Sequence, residues 1–215
     1  MKKRVLLFCT VFLFCMAAGC GKNEPGDGQT KEDQVKQDQT MEETGESQVN
    51  GNQTGAVIQE DPETEALLIN ALQAVKDTLG EDYWPDAEVT ADMLTDVYGI
   101  SSELYEAFIG ETPMISVNVD TILIIKAREN TLDVLEEAVN RYRESIVGNT
   151  MQYPMNIGKV QASRIETFGQ YVCFVQLGGD TGAEEEIGDE AVAQKCMNDN
   201  EEALEVIGNV LEQDS

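Results

Sequence analysis

The chain of 215 residues contains no histidine. That one absence removes Ser-His-Asp triads, Cys-His dyads and histidine-ligated zinc. No CxxC pair occurs, so neither a dithiol redox centre nor a zinc knuckle is encoded. There is no GxxxxGK[ST], no GxGxxG after a strand and no Ser-x-x-Lys, which leaves no standard phosphate cradle and no penicillin-binding type of acylation site. Positive charge is scarce as well. The chain has 14 Lys plus Arg against 41 Asp plus Glu, a net of −27. From Pro62 onward the balance is 31 acids against 8 bases. Affinity for nucleic acid comes largely from Lys and Arg displacing phosphate counterions, so nucleic-acid binding is excluded. Anionic lipid repels such a domain for the same reason. Aromatic residues are few, and tryptophan occurs once, as Trp84 in DYWPD.

A long apolar run is also missing. The longest, VLLFCTVFLFCMAA at 5–18, has 14 residues, whereas a bilayer core takes about 20 in a helix. Lys2, Lys3 and Arg4 precede it and small residues close it, which is the plan of a secretory signal peptide. The small residues Ala17, Ala18 and Gly19 run directly into Cys20, and MAAGC resembles the lipobox of bacterial lipoproteins. The resemblance implies that the Cys20 thiol receives a diacylglycerol and that residues 1–19 are cut away. Two acyl chains in one group, at roughly 0.8 kcal/mol per buried methylene, make a stable anchor. The expected location is the extracytoplasmic face of the cell membrane, with the lipid at Cys20 as the only membrane contact.

Residues 20–61 follow as a lipidated cysteine and an acidic tether. The stretch 21–61 is rich in Gly, Gln, Glu, Asp, Asn and Thr, has no aromatic residue, and is nearly free of branched aliphatics before Val57 and Ile58. Such a composition cannot bury enough apolar surface to offset its ordering entropy, and disorder is expected. As a flexible coil it spans about 35 Å. Residues 62–215 then form one domain, large enough to bury roughly 68–70% of its unfolded surface.

Apolar spacing predicts helices over 64–79, with Leu68, Leu72, Val75 and Leu79 on one face, and over 91–98, capped by Thr90. A short turn is expected at 102–108 and a weak strand at 114–119. The run TILIIKA (121–127) reads as a strand covered on both faces. A helix capped by Asn130, with Leu132, Leu135, Val139, Tyr142 and Ile146 inward, follows. Residues 148–158 read as a loop, 159–167 and 170–177 as a hairpin turning at Phe168-Gly169, 182–188 as an acidic loop or frayed helix start, and 189–212 as a helix with a possible break at 198–200. The order predicts an α+β domain. Its sheet is largely antiparallel, of about four strands in two hairpins separated by a helix, and packed with helices.

The strings LTDVYGIS (94–101), PMISVNVDTILIIKA (113–127), LDVLEEAVNRYRES (132–145) and GQYVCFVQ (169–176) resemble, in order and spacing, a family of uncharacterised lipoproteins of Gram-positive anaerobic bacteria. Its members share a domain of unknown function and the same plan of lipobox signal, acidic tether and single domain. The resemblance covers roughly residues 94–177. It assigns no catalytic residue and transfers one position only, Cys20.

Carboxylates are so numerous that a hydrolytic pair at the right distance would arise by chance. The acid-rich stretches GGDTGAEEEIGDE and NDNEE lack the spacing of a calcium loop, and no metal site or cofactor is read from them. Cys173 lies inside the apolar YVCFV, where a thiol behaves as a small hydrophobe. Cys196 lies in a predicted helix. Both are expected to be unpaired rather than bridged. Trp84 is expected to be a half-buried aromatic pinning a break between helices. The loop GNTMQYPMNIG either folds Met151, Tyr153 and Met155 back onto the core, the favoured expectation, or presents them as an apolar interaction surface. The reading that fits these signals is a membrane-anchored, non-enzymatic extracytoplasmic module with a protein or cell-envelope partner. The alternatives are an envelope hydrolase using carboxylates only and a small solute-binding lipoprotein.

Overall fold

The structure, a computed structural model, describes residues 61–212. The signal peptide expected at 1–19, Cys20 and the tether as far as residue 60 lie outside the described residues. Helix α1 (Pro62–Leu79) is started by Asp61, whose carboxylate accepts from the backbone N–H of Glu63 and of Thr64, with Pro62 at the first helical position. It buries Leu68, Ala71, Leu72 and Val75. After a 3-10 turn at Gly80–Asp82 come β1 (Ala87–Glu88) and α2 (Ala91–Asp96), the latter capped as expected by Thr90 Oγ1, which accepts from Met93 N–H. Then follow β2 (Tyr105–Thr112), β3 (Thr121–Ala127), α3 (Leu132–Val147), α4 (Pro154–Ala162), β4 (Arg164–Phe168), β5 (Tyr171–Gln176), α5 (Gly182–Glu185) and α6 (Asp189–Glu212).

The five strands form one antiparallel sheet in the order β1-β2-β3-β5-β4. This is the expected α+β architecture, with a two-residue strand added at one edge. Alternate residues of the central strands enter two cores. Ile109, Ile122, Ile124, Cys173 and Val175 pack beneath α1 and α6. Phe108, Leu123, Ile125, Val172 and Phe174 pack beneath α2 and α3. Burial on both faces explains why TILIIKA carries no polar alternation. Tyr142 on α3 packs edge-on against Tyr98 and against Phe174, at 4.8 and 5.5 Å between ring centres. No described helix is long and apolar enough to cross a membrane.

Four local expectations are corrected. The first hairpin is made by 105–112 and 121–127, not by 114–119, and the turn expected at 102–108 is largely the start of β2. Its strand YEAFIGET carries Gly110 and two acids that mask a buried run, whereas the apolar residues of PMISVNV lie in the connecting loop. Helix α4 occupies 154–162, where a loop and a strand start were expected. Gly158 looks like punctuation in the sequence, yet it is a packing residue. A Cβ there would lie 2.6 Å from Val192 Cγ1, so glycine lets α4 press against α6. Asn130 does not cap α3. It adopts a left-handed φ of 63°, and Thr131 holds the N-cap place while its hydroxyl donates to the carbonyls of Leu104 and Arg128. Helix α6 is continuous through 198–200. Buried Asn200 accepts from Leu177 N–H at 2.9 Å and donates to Ala162 C=O at 3.0 Å, tying α6 to the ends of β5 and α4. Cys173 and Cys196 are both free and buried.

Candidate functional site

Antiparallel pairing sends the β2–β3 connection (113–120) and the chain leaving β5 to the same end of the sheet, because Thr121 opposes Gln176. The segment 83–86 reaches that end through β1, whose Ala87 opposes Thr112. Helix α4 also reaches that end, where Asn156 Nδ2 donates to Val117 C=O at 2.8 Å.

A buried ion pair holds these segments together. Asp120 is fully buried, and its Oδ1 lies 2.6 Å from Lys159 Nζ of α4. Its Oδ2 accepts from Gly178 N–H at 3.2 Å and Gly179 N–H at 2.8 Å. Lys159 also donates to Gly179 C=O at 2.7 Å, and its ammonium sits 4.8 Å from the centre of the Trp84 ring. Burial pushes the Asp120 carboxyl above its usual range, and Lys159 with the two glycine N–H groups opposes that push. Gly179 has a φ of +50°, and a Cβ there would lie 2.6 Å from Asp82 C=O. Glycine is therefore required on two counts. Nearby, Lys195 bridges Asp82 and Asp199 and donates to Gly178 C=O. Burial works against its charge, but the two carboxylates hold it above the usual lysine range.

Above the pair lies a cavity of about 230 Å³. Trp84, Val117 and Met155 supply its apolar lining, and Asn118, Lys159, Asp180 and Glu185 its polar lining. A neighbouring groove of about 390 Å³ runs from Met155 past Ile157 and Gly158 to Asp189 and Val192.

The three residues singled out from the sequence do not fold back onto the core. Met151, Tyr153 and Met155 are 90%, 59% and 48% exposed. The favoured expectation of burial is overturned, because Pro154 starts a helix whose buried side is Asn156, Lys159 and Val160. Met155 lines the cavity, while Met151 and Tyr153 lie in and at the end of the loop before α4. Trp84 is 41% exposed and lines the cavity, consistent with a half-buried aromatic at a break. The pair Asp120–Lys159 was not legible. Its only signal is a lysine set between Ile157 and Val160, read there as strand. Among the described residues no group of three or more Asp, Glu or Cys is placed to hold a metal ion.

A second polar cluster lies nearby along the sheet. Glu111 accepts from Lys76 at 2.6 Å and from the Tyr83 hydroxyl at 2.8 Å. Burial, reinforced by Glu111, raises the Tyr83 phenol above its ordinary range.

This arrangement defines a helix-flanked antiparallel domain whose buried charges clamp loops together. The family model described as a domain of unknown function (DUF4358) matches residues 80–177. The match runs from the 3-10 turn through β5. It includes Trp84, Asp120, Met155 and Lys159, and omits α1, α5 and α6. Comparison with curated proteins and with solved structures gave no match.

Proposed function

We propose that the protein is a lipoprotein held on the extracytoplasmic face of the cell membrane through Cys20, and that its domain of unknown function is a non-enzymatic binding module. The sequence argument is the basic head, the short apolar run and the lipobox-like MAAGC, together with the likeness to lipoproteins of Gram-positive anaerobes. The observation that carries the binding role is a pair of uncharged segments that expose apolar side chains on an acidic domain. Residues 113–119 and 148–158 contain no charged residue. The same segments expose Met114, Ile115, Val117, Met151, Tyr153, Met155 and Ile157. Exposed apolar clusters of this kind mark contact surfaces, and Met-rich ones adapt to a partner.

The start of α1 and the apolar loops lie toward opposite ends of the sheet. Thr64, at the start of α1, accepts from Lys126 at the far end of β3, while Lys76, near its end, pairs with Glu111. The start of α1 therefore lies about 27 Å, one 18-residue helix, from the apolar loops. Against a carboxylate hydrolase stands Asp120, the one fully buried Asp among the described residues, whose oxygens are both engaged by Lys159, Gly178 and Gly179. Against a two-lobed solute receptor stands the single sheet.

The test has two arms. Labelled palmitate is incorporated into the native chain and not into Cys20→Ala. Cross-linking in native membranes, followed by mass spectrometry, captures a reproducible neighbour. Alanine replacements at Met151, Tyr153 and Met155 abolish that capture without lowering thermal stability. Undiminished capture by the triple variant removes the loop from the reading.

A further inference from the structure

We infer that the free edge of β4 accepts an extended, basic segment of a protein partner as an added antiparallel strand, with an arginine or lysine set opposite Glu166. This contact goes beyond the loop surface proposed above and does not depend on it. β4 ends the strand order β1-β2-β3-β5-β4, so β5 is its one neighbour in the sheet. The turn between them is tight, with Phe168 opposite Tyr171 and Gly169 at a φ of +56°. Gln170 C=O accepts from Ala127 N–H at 2.8 Å, so even-numbered residues along β5 bond toward β3. Its odd-numbered residues therefore bond toward Phe168, Glu166 and Arg164. The N–H and C=O groups of Ile165 and Thr167 point the other way, and they have no partner among the described residues. Such a row of donors and acceptors is a template for another strand.

A second copy of the chain does not suit this edge. Setting Ile165 opposite Thr167 of the copy uses all the free groups, but it places Glu166 directly opposite Glu166, and like charges so placed repel. The neighbouring register sets Ile165 opposite itself and Thr167 opposite Ser163. There Ser163 N–H already donates to Val160 C=O, and Ser163 C=O accepts from Arg143 Nε at 2.8 Å.

Positive charge on an extended chain does suit it. Ile165 packs with the core beneath α2 and α3, whereas Phe168 packs with the core beneath α1 and α6. Strand alternation puts Glu166 on the α6 side with Phe168. On that side a groove of about 320 Å³ lies between β4 and α6. Its apolar lining includes Phe168, Leu204 and Gly208, and its charged lining is Glu166, Glu201, Glu205 and Glu212 against Arg164. Arg164 is already held by Glu201 at 3.2 Å and Glu166 at 3.8 Å, and carboxylate remains in surplus. Strand pairing supplies the direction. The residue opposite Glu166 falls in a non-hydrogen-bonded pair, with Cβ atoms about 4.5–5.5 Å apart on the α6 side. Residues opposite Ile165 and Thr167 lie on the other side, where β-branched ones extend the packed face.

Backbone amide resonances of the full chain are the readout, and the probe is acetyl-Thr-Val-Arg-Val-Thr-amide. In the free chain the amides of Ile165 and Thr167 exchange rapidly with solvent while that of Glu166 is protected. The peptide shifts and protects both, saturably, below about 10 mM. Glutamate in place of its arginine weakens binding about tenfold or more, and methylation of both valine nitrogens abolishes it. Glu166→Arg abolishes the preference for the arginine peptide. Thr167→Pro, tolerated at a sheet edge, removes an outward N–H and the binding while the melting temperature holds. Equal binding of the arginine and glutamate peptides, or no saturable shift up to about 10 mM, overturns the inference. Slow exchange at Ile165 and Thr167 in the free chain overturns it too. Protection that grows with protein concentration then assigns the edge to a second copy, and constant protection assigns it to the chain itself. Alanine at Met151, Tyr153 and Met155 leaves peptide binding unchanged, so failure at the edge and failure of the loop reading are told apart. Loss of binding in that triple variant places the peptide on the loops and overturns the edge site.

Discussion

Replacing Lys159 by methionine tests the account of the buried pair. Methionine keeps an unbranched apolar stem of similar length in the space beside Gly178, where Lys159 carbons would lie 3.2 Å from any added Cβ. What disappears is the ammonium 2.6 Å from Asp120 Oδ1. Asp120 is fully buried and retains only the N–H groups of Gly178 and Gly179. Breaking a buried pair by removing one partner costs about 3–5 kcal/mol, because a charge stays behind without compensation. For a chain of this size that lowers the melting temperature by about 6–20 °C.

The loss depends on pH with a definite sign. Burial already raises the Asp120 carboxyl above its unfolded value, and removing Lys159 raises it further. Over the window between the two values the native state holds a proton that the unfolded chain has released. Native stability therefore falls as pH rises through that window. The deficit of the variant relative to the native chain is fullest near pH 8 and narrows as pH falls toward about 5. Adding Asp120→Asn recovers most of the loss, since the amide oxygen still accepts from both glycines. Thermal unfolding by circular dichroism across that range is the assay. A Lys159→Met variant that melts within about 2 °C of the native chain, with no pH-dependent gap, refutes an ionised, desolvated pair.

Gly179→Ala forces a side chain into a left-handed residue and against Asp82 C=O at 2.6 Å. It lowers stability by about 1–3 kcal/mol, read as a drop in urea midpoint at constant slope, and an unchanged midpoint contradicts the geometry. Asn200→Leu strips partners from Leu177 N–H and Ala162 C=O. At about 1–3 kcal/mol for each orphaned group, it lowers stability by roughly 2–6 kcal/mol, and retained amide-exchange protection at Leu177 argues against that clamp. Burial pushes the Cys196 thiol up to about 11, and the Cys173 thiol rises further. In the folded protein both resist alkylation at pH 8, followed peptide by peptide in mass spectrometry, and become reactive in denaturant. Rapid native-state labelling of Cys173 contradicts its place in the core.

Periodicity by itself determined the elements whose patterns are local. The Leu68, Leu72, Val75 stripe, the Thr90 cap and the TILIIKA run each encode their state within a few residues, because backbone hydrogen bonding and one buried face suffice to specify them. The hairpin 164–176 is legible for the same reason. Composition likewise determined the exclusions. A chain with no histidine and few bases cannot assemble chemistry that needs them. Tertiary structure alone decided the rest. Gly158 reads as a break until α6 is seen against it. Asn200 reads as a break until the groups it satisfies, 23 and 38 residues away, are in place. The partnership of Asp120 with Lys159 spans 39 residues, and nothing local to either announces it. A buried charge is tolerated only where folding delivers its counter-charge and donors, so its position is a property of the assembled core.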